Sequence, residues 1–298
     1  MKENAKGRCP GEIAVKYDCH MHMVLDGVYW KAAMARHAQG PDEAFIHRAL
    51  QTYREAGFTY LRDCGDRLGA GKRARELAGQ YGIEYRTPLS PLSKKGHYGA
   101  FIGEVFENPR EFSALVDKLD AQGCDFIKIM ISGLMDFDRF GVLTEEGLPA
   151  AEIKELVHIA KDKGFAVAVH CNGAAAVLAA AEAGVDSVEH GAYQDEESLA
   201  AMKENGCIWV PTVSTVGNLL GKGRFDDRAV AAILDSALSN CAKFASLGGI
   251  LAPGSDAGAW AVPHGCRTEQ VLLEKALGDN THAILEQGAK AVMERFCR

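Results

Sequence analysis

The feature that most constrains this 298-residue chain is an alternation of short apolar runs with helical patterns, repeated eight times. The strand candidates are residues 12–22, 58–64, 83–90, 125–132, 165–171, 186–190, 207–213 and 249–256. Helical periodicity falls between them, for instance over 42–56, 150–163, 195–205 and 226–247. Strands joined by crossover helices imply a parallel sheet. Eight such units in roughly 250 residues match a closed (β/α)8 TIM barrel. A doubly wound open sheet is the rival, but no Gly-x-Gly-x-x-Gly turn follows the first strand. The seventh strand is the least regular, because Pro211 cannot donate to a ladder. No linker, low-complexity tract or charge run marks a boundary, so residues 1–298 read as a single domain.

Composition narrows the function classes. Hydrophobic residues make up 47% and charged residues 24%, enough for a full core. Net charge is −7 with no basic block, which argues against a nucleic-acid partner. The first seven residues lack the apolar stretch of a secretory signal. The Ala-rich segment 174–183 is too short for a membrane span and is interrupted by Glu182. Nine cysteines stand singly, without a Cys-x-x-Cys pair. That pattern suits reduced thiols in a cytoplasmic protein better than a disulfide framework or zinc finger. A homo-oligomer is left open.

In a barrel of this kind, chemistry sits at the C-terminal ends of the strands. The first strand ends in Asp18-Cys19-His20-Met21-His22. Residues two apart on a strand share a face, so His20 and His22 would both enter the barrel mouth as a chelate. Taken alone, His-x-His is a weak signal. In Asp125-Phe126-Ile127-Lys128-Ile129-Met130, alternation sends Ile127 and Ile129 towards the outer helices and Lys128 inside. A bare ammonium there is unfavourable unless paired or chemically altered; the ordinary alternative is a lysine escaping to solvent. The fifth and sixth strands end in His170 and His190, and the eighth ends in Asp256 between Gly254 and Gly258. A histidine on an apolar strand is more often a hydrogen-bonded core residue than a ligand. Four histidines at matching strand ends, with a lysine and an aspartate in the same layer, point to metal.

The order His-x-His, Lys, His, His, Asp resembles the amidohydrolase superfamily in its binuclear, carboxylated-lysine form, from about residue 14 to residue 277. Gly57-Phe58-Thr59-Tyr60-Leu61-Arg62-Asp63 and Ala183-Gly184-Val185-Asp186-Ser187-Val188-Glu189-His190-Gly191 are similar to the imidazolonepropionase-related and Xaa-Pro dipeptidase-like branch. The resemblance implies that His20, His22 and Asp256 hold one divalent cation, and that His170 and His190 hold a second. A carbamate on Lys128 would bridge them. Zinc is the metal expected, with manganese, iron or cobalt as alternatives. The small β-sandwich usual in that branch is expected to be absent here.

The same resemblance implies a metal-dependent hydrolase cleaving an amide, peptide, lactam or ester bond of a small-molecule substrate. A metal-bridging hydroxide would attack, and Asp256 would transfer the proton. Tyr193, His264 and His97 are candidates for holding substrate, each with an ordinary loop residue as the alternative. Arg139 and Arg224 could meet a substrate carboxylate. Two rivals remain. A mononuclear deaminase on the same barrel needs a glutamate near the metal, and none follows His190 at short range. A non-catalytic barrel binding metal or ligand would not need Asp256 opposite the histidines.

Overall fold

A computed structural model describes residues 16–297. The first apolar run becomes β1 (Tyr17–Met21); positions 12–15 of the expected strand lie outside the described residues. It is followed by α1 (Trp30–Arg36), α2 (Glu43–Glu55), β2 (Tyr60–Asp63) and α3 (Ala70–Ala78). Then come β3 (Glu84–Arg86), β4 (Leu92–Lys94), β5 (Glu104–Phe106), α4 (Pro109–Ala121) and β6 (Ile127–Met130). The order continues with α5 (Ala150–Asp162), β7 (Val167–Cys171), α6 (Ala174–Glu182) and β8 (Ser187–His190). After α7 (Glu196–Glu204) and β9 (Ile208–Val210) lie α8 (Ser214–Gly217), α9 (Asp227–Ser246) and β10 (Ile250–Leu251). Helices α10 (Thr268–Leu277) and α11 (Thr281–Arg295) complete the described chain.

All named strand pairings are parallel, in two ladders ordered β1-β2-β3 and β10-β9-β8-β7-β6-β4-β5. Backbone hydrogen bonds join the ladders at both ends. Asp125 N–H donates to the Thr87 carbonyl at 3.0 Å, linking the third and fourth barrel strands. On the other side, Cys19 N–H donates to Pro253 at 2.8 Å and Asp256 N–H to His20 at 2.7 Å. This is the expected TIM barrel.

Two expected strands are corrected. The run 83–90 forms a ladder only over β3. Pro88 and Pro91 offer no N–H, and Leu89 turns at φ +64°, so the third barrel strand breaks and resumes as β4. The additional strand β5, outside every sequence expectation, pairs with β4 beyond the ring. The run 249–256 pairs with β9 only through β10; beyond it, Pro253 to Asp256 follows β1 instead. Strand β9 stops at Val210, immediately before Pro211, as the missing donor requires.

Local chemistry starts the helices where the sequence suggests. Asp42, Asp195 and Asp226 each accept a backbone N–H at the first turn of α2, α7 and α9. Such caps contribute about 1 kcal/mol each relative to alanine. Ile127 and Ile129 pack outward in a core with Phe112 and Val116 of α4 and Ile153 and Leu156 of α5. A fully buried side chain of this size contributes about 1.5–3 kcal/mol. Inside the barrel, Tyr60, Phe126, Ala168 and Ile208 pack with Ala289 and Val292 of α11 and with Phe296 just beyond it. Most of these lie at strand starts, so α11 closes that end and leaves the opposite end for the site. Among the described residues, no helix is long and apolar enough to cross a membrane.

Candidate metal centre

His20, His22, Lys128, His170, His190 and Asp256 all line one cavity of about 710 Å³ at the strand ends. Neighbouring imidazole centroids lie 5.4 Å apart for His20–His22, 4.9 Å for His20–His190 and 4.6 Å for His170–His190. Asp256 Oδ1 approaches Nε2 of His20 at 3.4 Å and of His22 at 3.3 Å. Two glycines make this approach possible. A Cβ on Gly254 would meet the His20 Cβ at 2.7 Å, and one on Gly258 would meet the His22 carbonyl oxygen at 2.6 Å. Asp256 and His190 themselves sit in the left-handed region, at φ +56° and +67°. Such conformations cost about 1–3 kcal/mol each and persist only when the surroundings enforce them.

The histidines carry supporting partners. His20 Nδ1 meets Glu189 Oε2 at 2.7 Å, and His190 Nδ1 meets Thr212 Oγ1 at 2.7 Å. His170 Nε2 lies 3.2 Å from the Gly133 carbonyl, which also accepts from Asn172. In each of these three rings one nitrogen is thereby fixed and the other is left to bind, the arrangement typical of metal-ligating imidazoles. Four buried atoms in the cavity wall have no hydrogen-bond partner: His20 Nε2, His22 Nδ1, Lys128 Nζ and Asp256 Oδ1. Buried polar atoms are rarely left so, and their convergence fits a site for cations.

Electrostatics agree. Burial and then the Lys128 charge push His170 down to about 3. Burial and His170 hold His190 well below the ordinary imidazole value, so both are neutral and ready to ligate. Burial opposes charge on His20, but Cys64 and Asp256 outweigh it and raise His20 well above that value. Burial likewise opposes charge on Asp256, yet His20 and His22 hold its carboxyl well below the usual range. Positive charge is therefore favoured where His20 faces Asp256, and a divalent cation can take the place of that proton.

The three proposed substrate residues lie outside the cavity lining. His264 is wedged between the Tyr53 hydroxyl and the Leu25 carbonyl, and burial first of all pushes it down to about 4. His97 turns away to Glu145, whose other oxygen accepts the Tyr98 N–H. Tyr193 packs its ring against Phe140 at 5.5 Å. Arg139 is occupied by Asp136. The lining instead includes Trp30, Tyr98, Phe101, Phe137, Phe225 and Trp260, with Arg224 stacked 4.4 Å over Trp260 at the rim.

Arg62 and Glu189 fall within the two family-like motifs without an expected role of their own. Both are fully buried, and Arg62 donates to both Glu189 oxygens at 2.8 and 2.9 Å. Arg62 also bonds the Cys19 carbonyl and the Ser187 hydroxyl. The signal was available, since each is a charge within a short apolar strand, as Lys128 is. Glu189 is also the carboxylate nearest in sequence to His190, but it lies behind His20 and outside the cavity lining. It does not serve as the exposed proton shuttle that a deaminase requires.

Fold and donor set define a class of protein: parallel barrels that gather imidazole and carboxylate side chains at the C-terminal mouth. The chain belongs to the amidohydrolase family, whose model matches residues 10–292. Ochratoxinase of Aspergillus niger is 31% identical over 149 residues, 48% of this chain and 28% of that protein. The match thus spans less than a third of the curated relative's length. A crystal structure of a Xaa-Pro dipeptidase with bound methionine superposes with a TM-score of 0.74 at 24% identity, covering 93% of this chain and 74% of that one. The crystal structure of A. niger ochratoxinase gives 0.72 at 22% identity, covering 93% and 68%. These two likenesses bear on the fold.

Proposed function

We propose that this chain is a metal-dependent hydrolase that cleaves an amide, peptide, lactam or ester bond and uses two divalent cations. The observation that carries this is the set of histidine, lysine and aspartate side chains lining one cavity, four of whose buried nitrogen and oxygen atoms make no hydrogen bond. His20, His22 and Asp256 would hold one cation, and His170 and His190 the other. When bound, such cations supply Lewis acidity that lowers the pKa of water and polarises a carbonyl. Asp256, kept anionic by the neighbouring histidines, accepts the proton of the attacking water and returns it to the leaving group. The aromatic lining selects a small molecule with a bulky apolar part, bound away from bulk water. The names ochratoxinase and Xaa-Pro dipeptidase support C–N bonds as the first to try.

Zinc suits the nitrogen-rich donor set best, with manganese, iron or cobalt as alternatives. All eight described cysteines are free thiols, which supports a reducing, cytoplasmic setting. Metal-loaded protein screened against N-acyl amino acids, dipeptides and lactones should turn over members of at least one class. Failure across all of them, with metal content verified, would overturn the hydrolase assignment. Elemental analysis after reconstitution with zinc should give two ions per chain; a ratio that never exceeds one defeats the binuclear site.

Lys128 is 1% exposed and its Nζ has no partner, which leaves a bare ammonium poorly accommodated. A carbamate formed from the neutral amine and carbon dioxide, with loss of one proton, converts it to an anion with two oxygen donors. Carbon-13 spectra of zinc-loaded protein prepared under labelled carbon dioxide should show a protein-bound carbamate carbon. Its absence in fully loaded protein eliminates the modification. Lys128→Ala should lose bound zinc and recover part of it with short carboxylic acids.

A further inference from the structure

Cys64 follows β2 directly, and it is 1% exposed. Its sulfur, a ring nitrogen of His20 and a ring nitrogen of His22 all lie within 4.8 Å of one another. A buried cysteine is most often a small hydrophobe in the core. Packing alone, however, leaves the neighbouring histidine nitrogens unexplained. His20 is 1% exposed, its Nδ1 is committed to Glu189, and its Nε2 remains without a hydrogen-bond partner. His22 Nδ1 is buried and unpartnered as well.

The backbone fixes this grouping. The Asp63 carboxylate accepts the N–H of Met23 at 3.0 Å and of Gly65 at 2.9 Å, the residues that directly follow His22 and Cys64. It also accepts the Thr87 hydroxyl at 2.8 Å. Cys64 N–H donates to the Met21 carbonyl at 2.8 Å, between the two histidines. One buried carboxylate and one interstrand bond therefore hold the thiol beside the His-x-His pair.

We propose that Cys64 is a thiolate ligand of the cation held by His20 and His22. The inference rests on the metal-dependent reading above and adds a donor to it. On coordination the S–H bond is exchanged for a sulfur–metal bond, and the proton leaves to solvent. A soft sulfur donor makes this position prefer zinc, cobalt or cadmium over manganese or magnesium.

Cobalt(II) is the probe. Protein loaded to two cobalt ions per chain should show a near-ultraviolet thiolate-to-cobalt charge-transfer band. The band should be lost in Cys64→Ser and Cys64→Ala while the visible cobalt bands persist. X-ray absorption at the zinc edge of the unaltered protein should also contain a sulfur scatterer at about 2.3 Å, a readout that needs no variant to fold. Two bound cobalt ions without the band, a band that survives in Cys64→Ser, or a zinc shell without sulfur each overturn the thiolate ligand and leave the metal site standing. A chain that binds no cobalt overturns the metal reading itself, and the ligand with it.

Discussion

Asp256→Asn is expected to lower turnover by about 10²–10⁴, the range that a positioned general acid–base group supplies, while most of the metal stays bound. Asparagine keeps the shape and one oxygen donor between Gly254 and Gly258, where the backbone admits a close approach to His20 and His22. What it loses is the capacity to take a proton. The native carboxyl has that capacity, since His20 and His22 outweigh its burial and keep it ionised. His20→Ala gives the contrast: it removes a ligand, so metal and activity should fall together. Near-native turnover by Asp256→Asn on a confirmed substrate would place the proton elsewhere. His97 and His264 are poor replacements, since both are engaged with other residues outside the cavity.

The barrel was legible in the sequence because its strands are bounded by strong punctuation and its helices by aspartate caps. The inward-facing positions of the candidate site were legible for a related reason: period-two alternation fixes which side chains face inward, and Lys128 between Ile127 and Ile129 obeys it. The third barrel strand was misread because prolines at 88 and 91 break the ladder without ending the direction of the chain. Tyr193, His264 and His97 stand out in the sequence only by their nearness to a strand end. That is a poor guide in loops, where a side chain turns to whichever buried partner offers itself, as His264 does to Tyr53 and Leu25. The aromatic lining comes from several loops that converge only in three dimensions, and no local pattern announces it.

Arg62 and Glu189 raise a separate question, because the same pair could serve stability alone or also aim His20 at the cation. Glu189 is fully buried and accepts from His20, from Arg62 and from the Ser187 hydroxyl. Burial by itself would raise its carboxyl, but Arg62 and Lys128 outweigh that and keep it well below the usual range. Glu189→Gln leaves the Arg62 guanidinium buried without its counter-charge, and breaking such a pair costs about 3–5 kcal/mol. It also weakens the acceptor that fixes the His20 ring, and loss of such a supporting partner lowers metal affinity by about 10–100-fold. The double variant Glu189→Gln, Arg62→Met separates the two effects. Methionine can fill the space between Phe126 and Phe296, over which the guanidinium now lies at 5.6 and 4.5 Å. The double variant no longer buries an unpaired guanidinium, so urea midpoints should recover part of the loss that Glu189→Gln alone causes. Zinc affinity should stay low, because nothing restores the charged acceptor at His20 Nδ1. If the double variant regains both stability and zinc affinity, Glu189 has no part in orienting His20 and the pair is purely structural.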